Sequence, residues 1–240
     1  MPDKNRCTLL PGYKLHFVSI LLLGLASIQD SSSTLSPSQV RGNLDHAPPA
    51  FSIAVVIDIS NSLNGQGNQK KIEVVLNEFT HLIKESNLKN EYFIIAFSTQ
   101  PYLVLNGGSD LNTTLGAISQ VGTIPKGGAT ALYDACILGT TKAIQGHHSR
   151  KAVFVFSDGI DTISEKTLDH LEELLKGQNI PVYAVNFSDP QNTTNKSSKL
   201  GIKILDKVAS ISGGLSFHPQ KLQELKAAFE TIKAKMNSTQ

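Results

Sequence analysis

Cysteine is nearly absent: the 240 residues hold two, Cys7 and Cys136. Cys7 lies in a basic leader, so removal of that leader leaves Cys136 alone and excludes an intramolecular disulfide from the mature chain. Cys136 stands in an apolar helical stretch, where a buried inert thiol is a simpler reading than a nucleophile. An excess of charge of one sign is also lacking. The chain carries 22 Lys and Arg against 20 Asp and Glu, and Lys4, Arg6 and Lys14 against Asp3 account for the net +2. The body is therefore neutral, which excludes electrostatic capture of nucleic acid.

The apolar run Phe17 to Ala26, FVSILLLGLA, is shorter than the roughly 20 residues that span a bilayer. Basic residues precede it, small Gly24 and Ala26 close it, and no lipoprotein-type cysteine follows it. Residues 1–26 are thus expected to be a secretory signal, which makes the protein secreted or periplasmic and in contact with a membrane only if the leader stays uncleaved. Enzyme signatures are missing too. There is no Gly-x-Ser-x-Gly elbow. Gly65-Gln66-Gly67 precedes a helical pattern, but Lys70 stands where a dinucleotide fingerprint needs its third glycine, and the pair comes several residues after the strand. An Asp-x-Asp phosphatase would need an acid at Ser60, so its general acid–base partner is lost.

What is present is an apolar fraction of 40% and a charged fraction of 18%, the balance of a globular domain. Residues 27–49 are rich in Ser, Gln, Asn and Pro and read as a flexible tether, with one folded domain over 50–237. Phe51 to Asp58, FSIAVVID, has the continuous apolar character of a strand buried on both faces. A glycine-bearing turn follows, then a helix with Ile72, Val75, Leu76, Phe79, Leu82 and Ile83 on one stripe. Further strands are expected at Tyr92 to Phe97, Tyr102 to Leu105, Ala152 to Ser157, Pro181 to Phe187 and Leu215 to Phe217. The one after Pro101 suits a sheet edge, where a proline forfeits no ladder bond. Asp110 is placed to cap a helix, Ala131 to Ile144 reads as a helix, and another is expected from Ser164 to a stop at Gly177. Lys199 to Ile211 and a terminal helix carrying Leu222, Leu225, Phe229, Ile232 and Met236 complete the pattern. Strands alternating with helices imply an α/β fold, a doubly wound, mainly parallel sheet with one short antiparallel edge strand and helices on both faces.

Three segments of this pattern carry oxygen donors at loops. Asp58, Ser60 and Ser62 follow the first strand, Thr130 follows Gly127-Gly128-Ala129, and Asp158 follows the strand AVFVFS. In open α/β sheets, ligands collect outside the carboxyl ends of the strands. Hard oxygen donors suit Mg²⁺, with Mn²⁺ or Ca²⁺ as alternatives, and not zinc or copper.

DISNS, GGATALYDA and RKAVFVFSDGIDT, in this order, resemble the von Willebrand factor A domain family, and their wording is similar to its secreted bacterial, acidobacterial-type members. The resemblance covers about Phe51 to Lys235. It implies a metal-ion-dependent adhesion site in which Ser60, Ser62 and Thr130 bind a cation directly while Asp58 and Asp158 bind it directly or through water. It also implies a protein ligand that completes the cation's shell with an Asp or Glu. Asn61 and Leu63 depart from the Gly and Met of many members, and Asn64 to Asn68 form an insert; these alter the rim of the site and remove no donor. Two other classes compete: a metal-assisted phosphoester hydrolase, for which the three loops offer no extra base, and a structural module with an empty site.

The remaining candidates have plainer readings. Asp161 is a turn or cap residue, His147-His148 a solvated loop, and His81, His170 and His218 helix-surface or capping residues. The Asn-x-Ser/Thr sequons at Asn112, Asn192, Asn195 and Asn237 matter only in a glycosylating host.

Overall fold

A computed structural model describes residues 49–61, 69–186 and 195–238. In chain order these residues form β1 (Phe51–Asp58), α1 (Gln69–Glu85), β2 (Glu91–Phe97), β3 (Pro101–Gly108), α2 (Leu111–Val121) and α3 (Leu132–Gln145). There follow β4 (Arg150–Phe156), α4 (Leu168–Leu175), β5 (Val182–Val185), α5 (Lys196–Ile211), β6 (Leu215–Phe217) and α6 (Leu222–Ser238).

The six strands make one sheet in the order β3-β2-β1-β4-β5-β6. All pairs are parallel except β2 with β3, which is antiparallel and places β3 at the edge. β1 is therefore central, flanked by β2 and β4. Its side chains alternate between two cores with the period of two that a strand imposes. Phe51, Ile53, Val55 and Ile57 face one core, with Phe79 of α1, Ile118 of α2 and Phe229 of α6. Ala54 and Val56 face the other, with Leu132 and Cys136 of α3, Leu171 of α4 and Leu205 of α5. Because both faces are covered, the strand needs apolar residues throughout, which is why its sequence does not alternate.

The expected elements form, with two corrections. β3 extends over Pro101–Gly108, longer than Tyr102 to Leu105, because its backbone pairs along β2 as far as Tyr92↔Gly108. The helix expected from Ser164 begins instead at Leu168. Residues 161–166 wrap the start of α3: Ser164 Oγ accepts the Asp134 N–H, while the Glu165 and Lys166 N–H groups donate to the Asp134 carboxylate. These tertiary bonds hold the amides outside a helix until Thr167 and His170 form a capping box. His147-His148 lie in a solvated loop, as expected, with the His147 side chain 88% exposed, and the loop is also anchored. The His147 ring and N–H both bond the Glu91 carboxylate, and the His148 N–H donates to Ser52 Oγ.

Asp110 caps α2 as expected, accepting the Thr113 N–H at 2.7 Å. α5 starts earlier than Lys199, at Lys196, with Asn195 as its cap. Cys136 is a free, buried thiol, and burial pushes its pKa well up, so it is inert. No helix among the described residues is long and apolar enough to cross a membrane. The leader, the tether through residue 48, Ser62, the insert Asn64 to Asn68, Phe187 and the sequon at Asn192 lie outside the described residues.

Candidate metal centre

β1 and β4 run side by side with Ile57 opposite Phe156, so the residues that follow each strand emerge together. Ser157 Oγ donates to Asp58 Oδ2 at 2.7 Å, and the Ser60 N–H donates to Asp58 Oδ1 at 2.9 Å. Asp58 is 1% exposed. Burial first, and then the neighbouring charge of Asp158, push its carboxyl up from 3.8 to about 7, against the bonds from Ser60 and Ser157. The charge of Asp158 thus acts on a buried carboxyl, a strain that a proton or a cation relieves.

The loop holding Thr130 reaches the same place by backbone bonds. The Asn61 N–H donates to the Gly127 carbonyl at 3.2 Å, and the Ala131 N–H to the Ser98 carbonyl at 2.7 Å. Gly127 admits no side chain: a Cβ there would lie 2.7 Å from Thr99 Cγ2 and 3.0 Å from Ser98 Oγ. On its other side, the loop is tied to the segment after β4. The Thr130 N–H donates to Thr162 Oγ1 at 2.8 Å and the Thr162 N–H to the Thr130 carbonyl at 2.9 Å. The three segments are therefore bonded pairwise: Asn61 to Gly127, Thr130 to Thr162, and Ser157 to Asp58. Ser60 is bonded to Asp58 directly, Asp158 follows the Ser157 that holds Asp58, the Thr130 loop is tied to both segments by backbone bonds, and Ser62 lies outside the described residues.

Several residues in this network were not among the sequence candidates. Ser157 holds Asp58, and its position directly before Asp158 at the end of an apolar strand was a signal available in the sequence. Ser98, at the end of β2, has a buried Oγ without a hydrogen-bond partner among the described residues, and only the tertiary structure reveals it. Asp161 acts as expected at the head of α3, accepting the Tyr133 N–H and the Ser164 hydroxyl.

Among the described residues, no three His, Cys, Asp or Glu side chains gather as a metal-binding group. The donors present are two carboxylates with neutral hydroxyls, a set whose hardness fits Mg²⁺, Mn²⁺ or Ca²⁺.

Residues 53–160 match the model of the von Willebrand factor type A domain. Over these residues the chain is similar to the von Willebrand factor type A domain family. Solved structures agree in fold. The protein BatB from Bacteroides thetaiotaomicron is similar at 18% identity and a TM-score of 0.61, over 79% of this chain and 100% of that one. A von Willebrand factor type A protein from Catenulispora acidiphila shares 17% identity at a TM-score of 0.63, over 80% of this chain and 44% of the other. The von Willebrand domain of Mfa5, a type V pili tip protein of Porphyromonas gingivalis, shares 10% identity at 0.58, over 80% and 96%. No curated protein matches the sequence. At these identities the likeness concerns the fold alone. It agrees with the six-stranded, mainly parallel sheet and its helices on both faces.

Proposed function

We propose that this domain binds a divalent cation, Mg²⁺ in the first place, through Asp58, Ser60, Ser62, Thr130 and Asp158, and through that cation an Asp or Glu of a protein partner. The observation that carries the reading is the pairwise bonding of the three donor-bearing segments, with the charge of Asp158 acting on the buried Asp58 carboxyl. Two carboxylates only neutralise a divalent ion, and neutral hydroxyls leave part of its shell to water. A partner's carboxylate that replaces one water would complete that shell. Cation and partner then raise each other's affinity, so recognition depends on metal.

The role is one of binding and not catalysis, in a secreted or periplasmic protein. Likeness to a pilus tip protein supports a protein partner. The test is calorimetric titration of the chain with Mg²⁺ and with Mn²⁺, with Asp158→Ala alongside. One saturable site of millimolar or tighter affinity, lost in the variant, is the expected result. No saturable binding at millimolar metal would leave the domain as a structural module.

A further inference from the structure

Two residues outside the donor set grip the peptide of Asp158 from behind. Asn186, directly after β5 and 1% exposed, donates from Nδ2 to the Asp158 carbonyl at 3.2 Å, while its own N–H donates to the Phe217 carbonyl at 2.8 Å. Asn186 is thus fixed to the sheet and reaches across to the loop. On the other side lies Gly201, the sixth residue of α5. A Cβ there would stand 2.1 Å from the Asp158 carbonyl oxygen. The contact is reciprocal, since a Cβ on Gly159 would stand 2.3 Å from the Gly201 carbonyl oxygen, and Gly159 has a φ of +84° that glycine alone adopts readily. A glycine inside a helix destabilises it relative to alanine. Close backbone approach is the compensating use, and here α5 lies backbone to backbone against the residue pair that carries the second carboxylate.

We propose that Asn186 and Gly201 form a seat that positions the Asp158 loop and, resting on the cation reading above, sets the affinity for the ion. Both are positioning residues, because neither offers an atom to the cation. They act through the Asp158 peptide, whose side chain is further braced by the Ile160 N–H donating to Asp158 Oδ1 at 3.0 Å. Loss of the Asn186 amide frees the Asp158 carbonyl to turn. A methyl at residue 201 pushes it outward. Either change moves the Asp158 carboxylate relative to Asp58, which is held independently by Ser60 and Ser157.

The test uses the whole chain in four forms: wild type, Asn186→Leu, Gly201→Ala, and Thr114→Val as a control that removes a buried hydroxyl bond in α2, away from the site. Mg²⁺ and Mn²⁺ affinity is read by calorimetry, and hydrogen exchange of the Ile160 amide is read without metal. The expected result is an affinity at least tenfold weaker in both seat variants and unchanged in Thr114→Val, with Ile160 exchange at least tenfold faster in the seat variants alone. Wild-type affinity in Asn186→Leu and Gly201→Ala overturns the proposal. Should the wild type itself bind no cation, the cation reading falls and exchange decides the seat. Acceleration confined to residues 158–162 supports it, and acceleration no greater than in Thr114→Val overturns it.

Discussion

At the scale of the residue, the candidate site depends on how the buried Asp58 carboxylate is held. Its two oxygens are held by a backbone N–H from Ser60 and a hydroxyl from Ser157. Ser157→Ala removes the hydroxyl and leaves a buried carboxylate oxygen short of a partner, so it should destabilise the chain by about 1–3 kcal/mol. Urea unfolding measured without metal checks this; an unchanged midpoint would mean that Asp58 finds another donor. Thr130 behaves oppositely. Its backbone, not its side chain, makes the bonds to Thr162, so Thr130→Ala keeps the loop and removes a candidate ligand. The melting temperature without metal should move by no more than about 4 °C, the shift that 1 kcal/mol produces in a domain of this size. Mg²⁺ affinity should fall at least tenfold. A large thermal shift with unchanged affinity would assign the hydroxyl to the fold instead.

At the scale of the element, helices and strands are fixed by which face each one buries. Phe79 of α1 is fully buried and meets the rings of Tyr92, Phe154 and Phe156 at centroid distances of 6.4, 6.1 and 6.1 Å. It therefore joins α1 to β2 and β4 together. Phe79→Ala should cost about 3–5 kcal/mol, the range for emptying an aromatic site in a packed core, and chemical denaturation measures it. α4 begins where its capping box permits. Thr167→Ala removes the side-chain acceptor for the His170 N–H and should cost about 1 kcal/mol. An effect near zero would show that the bonds from Asp134 to residues 165 and 166 hold this turn by themselves.

At the scale of the whole molecule, the end of the sheet opposite the candidate metal centre is closed by a polar knot. Glu91 of β2 is 7% exposed and accepts the Ser52 hydroxyl, the His147 N–H and the His147 ring. It thereby joins β1, β2 and the turn leading into β4. Burial raises the Glu91 pKa, but these three bonds together outweigh it and hold the value below the ordinary 4.5. A carboxyl whose folded value is lowered adds stability that is complete above its unfolded value and is lost as pH falls through the folded one. The chain should therefore lose stability as pH drops below about 4.5, and Glu91→Gln should flatten that acid limb. Unfolding curves from pH 6 down to pH 3 test this; an equal slope in wild type and variant would remove Glu91 as the cause.

The sequence by itself determined the layered α/β architecture. Strands buried on both faces must be apolar throughout and core-facing helices must repeat near every third or fourth residue, and both periods stand in the letters of FSIAVVID and of the α1 stripe. It also pointed to Asp58, Ser60, Ser62, Thr130 and Asp158 as candidates, because strand ends and glycine loops mark where a parallel sheet collects ligands. Tertiary structure alone decided that Ser157 holds Asp58, that Asp134 delays the start of α4, and that His147 closes on Glu91 across 56 residues of chain. It alone pressed Gly201 against Asp158. Those contacts join residues far apart in sequence, and their geometry comes into being only when strand order and helix packing are set.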